Sequence, residues 1–278
     1  EEFAALEQRH SFLTEQLDDL SRADRLTLMR GGAAELRRGG RAMLAGAGDG
    51  RGDDEEAGVD ALLAAGGDAV ILVAPHLTER LVGILRVSGH PVVVALPREE
   101  GSPFPHVTVD VYGGVRAATE RAIALGHRRL LMLAAPGASP HRSAFTDAVT
   151  LAGLEATATV RDSADDYTDT LSVARAGLEN DAPTAVIAAS DTRAFAAIDA
   201  ARLKGLTVPD DLSVIGFGDV PQAAASFPAL TTVREPLADV GRAVARIALG
   251  LLDDVEPVQH RLALQTDLIE RGTLAPPA

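Results

Sequence analysis

One stretch, residues 183–219, constrains the fold of this chain more than any other. It holds two short apolar runs, residues 185–189 and 212–217, and each has the length of a buried strand. An alanine-rich segment with helical spacing of its larger apolar residues lies between them, and Ser190 and Asp191 form an N-cap pair at its start. Strand, helix and strand in direct succession predict a βαβ unit. Such units build parallel sheets that place ligands at the carboxyl ends of their strands.

The same alternation of apolar runs and helical stretches continues along the rest of the chain. Apolar runs at residues 69–73, 91–96 and 129–134 are separated by segments with helical spacing, and in the first half strands alternate with helices at roughly 25-residue intervals. The 278 residues are enough for two lobes of about 100–150 residues each. We therefore expect an α/β protein with two lobes, each with helices on both faces of its sheet.

Composition and charge exclude several classes of protein. The chain has no cysteine, which excludes disulfides, thiolate catalysis and cysteine-ligated metals. Its net charge of −14 is unfavourable for a face that binds nucleic acid by itself. No apolar run approaches the ~20 residues of a membrane span, and the sequence shows no signal peptide, phosphate loop, HExxH or GxSxG motif. We predict a cytoplasmic protein that is not an enzyme, holds no cofactor or metal and does not bind membranes.

Several short segments carry a more specific pattern through their order and spacing. They are residues 19–21 (DLS), 125–129 (LGHRR), 188–191 (AASD), 208–219 (VPDDLSVIGFGD) and 228–236 (PALTTVREP). Together these segments resemble the lactose/galactose-repressor family of transcriptional regulators, and the resemblance runs from about residue 12 to residue 275. Each motif is weak by itself, so the identification depends on all of them occurring in sequence.

The resemblance implies a type I periplasmic-binding-protein-like fold. Two Rossmann-like lobes with parallel sheets would be joined by three crossovers, near Asp110, Arg234 and Thr266. The expected division is a linker at residues 1–11, an N-terminal lobe at 12–109 plus 236–264, and a C-terminal lobe at 110–235 plus 265–278.

The resemblance also implies a function. The chain would be the ligand-sensing and dimerisation domain of a regulator, with a small effector bound in the cleft between the lobes. Operator DNA would be bound only through an N-terminal helix-turn-helix headpiece, which this chain lacks. A homodimer is expected, with the helices at residues 77–88 and 237–252 as its surfaces. A solute-binding receptor of a transport system is the alternative, because it shares the fold.

The residues that would contact the effector follow from the same resemblance. They are Ser21, Arg25, His141, Arg142, Ser190, Asp191, Gly218 and Asp219. Each also has a structural interpretation, since serine and aspartate commonly serve helix caps and turns.

This sequence departs from the family at most of these positions. Asp24 and Arg25 stand where two aromatic residues are common, and His141 stands where an arginine commonly binds ligand hydroxyls. Ser190 replaces an asparagine and Gly218 replaces an aspartate. We therefore expect neutral sugars to bind weakly, with the cationic residues favouring an anionic effector, or a pocket that binds nothing.

Overall fold

The computed structural model describes residues 10–15, 22–47, 52–73, 77–97, 102–137, 139–164 and 166–278. The chain divides into two compact units. The first unit comprises the described residues up to Val109 together with Pro236–Leu264, and the second comprises Asp110–Glu235 together with Gln265–Ala278. The chain therefore passes from one unit to the other three times.

Helices and strands alternate along both units. The strands are β1 (His10–Glu15), β2 (Ala42–Ala47), β3 (Gly67–Val73), β4 (Val92–Ala95), β5 (His106–Val109), β6 (Leu130–Ala134), β7 (Ala158–Asp162), β8 (Ala185–Ala188), β9 (Ser213–Gly218), β10 (Thr231–Arg234), β11 (Arg261–Leu264) and β12 (Asp267–Ile269). The helices are α1 (Arg22–Arg38), α2 (Gly52–Ala64), α3 (Glu79–Ser88), α4 (Val111–Ala124), α5 (Pro140–Leu151), α6 (Tyr167–Asn180), α7 (Asp191–Leu203), α8 (Pro221–Ala225) and α9 (Leu237–Leu252). Within these described ranges, none of the helices has the length and apolar character needed to cross a membrane.

The first unit is built on a parallel sheet with the strand order β11-β5-β4-β3-β1-β2. Strand β4 is a continuous run of buried valine and alanine, and β3 is buried along nearly its whole length. Such apolar runs are typical of strands covered by helices on both faces of a sheet. The α/β class predicted from the sequence is confirmed.

Strand β1 corrects the predicted extent of the N-terminal linker. His10 and Ser11 belong to this strand, although the linker was expected to reach residue 11. Strand β1 lies between β2 and β3, and its backbone pairs with both of them. Two-sided pairing satisfies the backbone of a strand whose sequence, interrupted by polar residues, has only a weak strand pattern.

Helices α1 and α9 pack so closely that glycine is required where they cross. A Cβ atom added to Gly31 would lie 2.1 Å from the carbonyl oxygen of Ala238, and one added to Gly241 would lie 2.0 Å from that of Leu28. The ion pair between Arg246 and Glu35, at 2.6 Å, also joins the two helices. The backbones therefore approach to a distance that no other residue type permits at these two positions.

The packing of α9 bears on the predicted dimer surfaces. Leu237, Val240 and Val244 are buried within the first unit, and the other large apolar residues of this helix are partly buried. Helix α3 differs, because it buries Leu81 and Leu85 but leaves Val87 88% exposed. Of the two helices expected to face a partner, α3 therefore keeps the more exposed apolar side chain.

The second unit contains a sheet with the strand order β12-β10-β9-β8-β6-β7. All of its described pairs are parallel except that of the short edge strand β12 with β10, which is antiparallel. The predicted α/β lobe with a parallel sheet is thus confirmed, and the antiparallel pair is confined to this edge. Strands β6, β7, β8 and β9 lead in turn to the starts of α5, α6, α7 and α8. Four strand-to-helix turns therefore meet at one edge of the sheet, which we call the carboxyl edge.

We predict that Gly241→Ala destabilises the protein, because the new Cβ meets the rigid backbone of α1. Overpacking of this kind costs about 1–3 kcal/mol or more of the free energy of unfolding. The control is Gly83→Ala in α3, where nothing lies within 4 Å of the added Cβ. That change should stabilise the protein by up to about 1 kcal/mol. Urea denaturation measures both, and equal effects of the two substitutions would contradict the packing argument.

Candidate functional site

Polar caps begin the three long helices that follow β6, β7 and β8 in the second unit. The Ser139 hydroxyl accepts a hydrogen bond from the backbone N–H of Arg142, and Asp166 accepts one from the N–H of Asp169. Ser190 accepts in the same way from the N–H of Arg193, at 3.3 Å. Each cap satisfies an otherwise unpaired N–H in the first turn of its helix. The sequence thus concentrates polar side chains along the carboxyl edge.

Asp191 is the most deeply buried of the predicted site residues, with 1% of its surface exposed. Its Oδ1 accepts a hydrogen bond from the Thr232 hydroxyl at 2.6 Å, and its Oδ2 accepts one from the backbone N–H of Val220 at 2.8 Å. Burial raises the pKa of this carboxyl, and the two hydrogen bonds act in the opposite direction. A Cβ added to Gly216 would lie 2.2 Å from Oδ1, so β9 needs glycine there. Asp191 therefore fixes the start of α7 against β9 and β10.

Asp219 uses both of its carboxylate oxygens in ion pairs. Arg234 donates to one oxygen and Arg271 to the other, each at 2.6 Å, and the carboxylate side chain is only 8% exposed. The backbone of Asp219 has a φ of +58°, and the preceding Gly218 has a φ of +126°. Gly218 thus supplies a backbone conformation that L side chains rarely adopt. The carboxylate of Asp219 holds the β9–α8 turn in place.

His141 lies at the start of α5 with its ring edge against Phe217, at a centroid distance of 4.8 Å. Burial lowers the pKa of His141 to about 4, and the positive charge of Arg193 acts in the same direction. The imidazole is therefore neutral at physiological pH. Its Nε2 atom is buried and has no hydrogen-bond partner in the described part of the chain. A buried polar atom without a partner is costly, so a ligand that supplies one gains affinity.

Arg142, the neighbour of His141, is committed to contacts within the second unit. Its Nε donates to the carbonyl oxygen of Gly137 at 3.0 Å, and its guanidinium forms an ion pair with Asp162 at the end of β7. These contacts join the β6–α5 turn to the neighbouring strand. Arg142 is therefore paired with Asp162, in a partly exposed ion pair of modest strength.

Arg193 is a residue of this edge that the sequence did not identify. It is 4% exposed, and its guanidinium donates to the hydroxyl and carbonyl oxygens of Ser163, at 3.2 and 3.1 Å. It also donates to the hydroxyl of Ser190 at 3.3 Å. An arginine in the first turn of an alanine-rich helix has the pattern of a solvated side chain, so no local signal reveals its burial.

The predicted site residues fall into three groups by position. Ser21 lies outside the described residues, and Arg25 is a half-buried residue of α1 in the first unit. The other six lie at the carboxyl edge of the second unit, at the ends of β6, β8 and β9. They are His141, Arg142, Ser190, Asp191, Gly218 and Asp219. In the described ranges, no group of three or more histidine or acidic side chains is placed to hold a metal ion.

The two α/β units and their three connections define the class of this protein as periplasmic-binding-protein-like. The model of the periplasmic binding protein-like domain matches residues 119–274. The transcriptional regulator CelR of Thermobifida fusca is 33% identical over 217 residues, which cover 73% of this chain and 62% of that protein. Catabolite control protein A of Priestia megaterium is 31% identical over 191 residues, which cover 65% of this chain and 56% of that protein.

A solved structure extends the similarity over nearly the whole chain. The complex of the regulator CelR with cellobiose superposes with a TM-score of 0.80 at 27% identity, covering 98% of this chain and 88% of that chain. The chain belongs to the periplasmic-binding-protein-like family, and the relatives named above are transcriptional regulators. The matched region spans less than two thirds of the length of the two sequence relatives.

The burial of His141 makes the stability of the protein depend on pH. The pKa of this histidine falls from 6.5 to about 4 on folding, so between these values the unfolded chain binds a proton that the folded chain does not. Stability from this group is therefore present above pH 6.5 and is lost as the pH falls toward 4. Between pH 7 and pH 5 the expected loss is about 2 kcal/mol of the free energy of unfolding.

Urea denaturation of His141→Gln at pH 7 and pH 5 checks this prediction. The variant should lose about 2 kcal/mol less on acidification than the parent protein, because glutamine does not titrate. His260→Gln, which changes an exposed histidine of the first unit, is the matched control and should behave like the parent. A His141→Gln variant that loses as much stability as the parent would show that this histidine is not buried in its neutral form.

Proposed function

We propose that this chain is the ligand-sensing and dimerisation part of a cytoplasmic transcriptional regulator that binds a small effector at the carboxyl edge of the second unit. The observation that carries the proposal is the buried Nε2 atom of His141, which has no described partner at the edge where parallel sheets bind ligands. Effector binding would control operator binding by a helix-turn-helix segment of the full-length protein. The regulator is favoured over a transport receptor because the named relatives are transcriptional regulators.

The charges of the edge favour an uncharged effector with hydroxyl groups. Asp219 is paired with two arginines and Arg142 with Asp162, while His141 is neutral. A charged ligand would have to compete with these ion pairs or be desolvated without a new partner. A hydroxyl group can either donate a hydrogen bond to the neutral imidazole of His141 or accept one from it.

This proposal differs from the anionic effector that the sequence favoured. That expectation depended on Arg25, His141 and Arg142 as cations. His141 carries no charge at physiological pH, and the guanidinium of Arg142 is bound to Asp162. Two of the three expected cations, His141 and Arg142, therefore give little support to the binding of an anionic effector. The cellobiose in the complex of the relative CelR is a neutral sugar and supports the same choice.

A homodimer remains part of the proposal, because a two-fold symmetric protein matches an operator with two half-sites. Val87 on α3 is an exposed apolar side chain of the first unit, and Phe227 is fully exposed in the second. Large apolar side chains left in water favour association. These two residues are candidates for contacts with a second copy, as is Val258 of the first unit, which is also fully exposed.

We predict that a neutral sugar binds the second unit and that its affinity depends on His141. Calorimetry with cellobiose, ribose and glucose, and with glucose 6-phosphate as the anionic comparison, measures this directly. His141→Ala should weaken the tightest neutral sugar by about tenfold, the effect of one lost hydrogen bond. Ser143→Ala, an exposed change on the same helix, is the control and should bind like the parent. Binding of the phosphorylated sugar alone, or of none of the four, would contradict the proposal.

A further inference from the structure

Arg193 is, after Asp191, the second charged residue in the first turn of α7 whose burial is not explained by apolar packing. Its neighbours Ala194, Ala196 and Ala197 are buried as expected for an alanine-rich helix that covers a sheet. A guanidinium that is 4% exposed is costly unless its N–H groups are hydrogen-bonded. The bonds that offset this cost therefore show what the side chain does.

The bonds of Arg193 connect the ends of three strands. Ser163 directly follows β7, and its backbone N–H donates to the carbonyl oxygen of Ala134, the last residue of β6, at 2.9 Å. The hydroxyl of Ser163 also accepts from the Thr170 hydroxyl in α6, at 3.2 Å. Ser190, the third acceptor of the guanidinium, caps α7 after β8. One side chain thus links the turns after β7 and β8, and through Ser163 it reaches the end of β6.

Arg193 also acts on His141, the residue on which the proposed function depends. Burial lowers the pKa of His141, and the charge of Arg193 lowers it further. Phe217 of β9 is in ring contact with His141, and the adjacent Arg142 is paired with Asp162. In the described ranges Arg193 is the charged residue that acts on this imidazole.

We propose that Arg193 is a positioning residue of the effector site, which holds the turns after β7 and β8 in one arrangement and fixes Ser190 at the start of α7. An effector would then meet an ordered edge instead of two independent turns. The inference rests on the proposed function for its effect on ligand binding. Its effect on the unliganded protein stands on the geometry alone.

The test uses the whole chain with three substitutions. Arg193→Met keeps a long side chain but removes the charge and all of the donors. Arg193→Lys keeps the charge but cannot reproduce the planar fork that reaches both serines. Arg202→Met, at an exposed arginine near the end of the same helix, is the control. The measurements are amide hydrogen exchange, NMR titration of the His141 ring, and calorimetry with cellobiose and ribose.

In Arg193→Met we expect about tenfold faster exchange in residues 163–170, an upward shift in the pKa of His141, and weaker binding of whichever sugar the parent binds. In Arg193→Lys the exchange should also rise, whereas the titration of His141 should stay close to that of the parent. The control should change none of these. If Arg193→Met fails to fold, the exchange of Arg193→Lys decides the matter.

Two outcomes would overturn the inference. One is unchanged exchange in residues 163–170 when Arg193 is replaced. The other is faster exchange with an unchanged His141 titration in Arg193→Met, which would reduce Arg193 to a structural contact. If the parent binds none of the sugars, the proposed function fails, but exchange and titration still test the role of Arg193 in the unliganded protein.

Discussion

The second unit depends on one buried carboxylate. Asp191 begins α7 and, from a position that is 1% exposed, accepts hydrogen bonds from Thr232 and from the backbone of Val220. Removing one hydrogen-bond partner of such a group leaves a buried charge or donor unpaired. This costs about 1–3 kcal/mol or more of the free energy of unfolding. Helix α7 is capped by Ser190 and carries Arg193. The carboxylate therefore joins the start of this helix to β10, through Thr232, and to the turn after β9, through Val220. Gly216 has no side chain because the Oδ1 atom of Asp191 occupies that space.

Several charged groups near this carboxylate are held in ion pairs, and His141 is a neutral hydrogen-bonding group beside them. Asp219 lies between Arg234 and Arg271, and Arg142 is bound to Asp162. These pairs fix the turns of the carboxyl edge while taking their charges out of ligand binding. His141 is held neutral by burial, and its unpartnered Nε2 is the group of the predicted site that still lacks a bond. Rigid turns with an unsatisfied neutral group are suited to a ligand that brings a hydroxyl.

Local sequence patterns predicted much of this architecture. The apolar runs of β8 and β9 and the cap residue Ser190 could be identified because strand length and cap chemistry are properties of neighbouring residues. The side-chain partners could not be identified, because they come from distant parts of the chain. Arg271 lies far from Asp219 in sequence, and Arg193 is buried only because Ser163 lies opposite its side chain. Likewise, the close crossing at Gly31 and Gly241 depends on two helices from opposite ends of the first unit.

The central claim is that the neutral imidazole of His141 receives the effector. The most direct test follows the NMR resonances of the His141 ring at pH 7 while a neutral sugar is added. The sugar is the one that binds most tightly in the calorimetry. We expect the Nε2 resonance to shift with the same saturation curve as sugar binding, while the ring stays neutral. A sugar that saturates the protein without moving this resonance, or one that protonates the ring on binding, would contradict it.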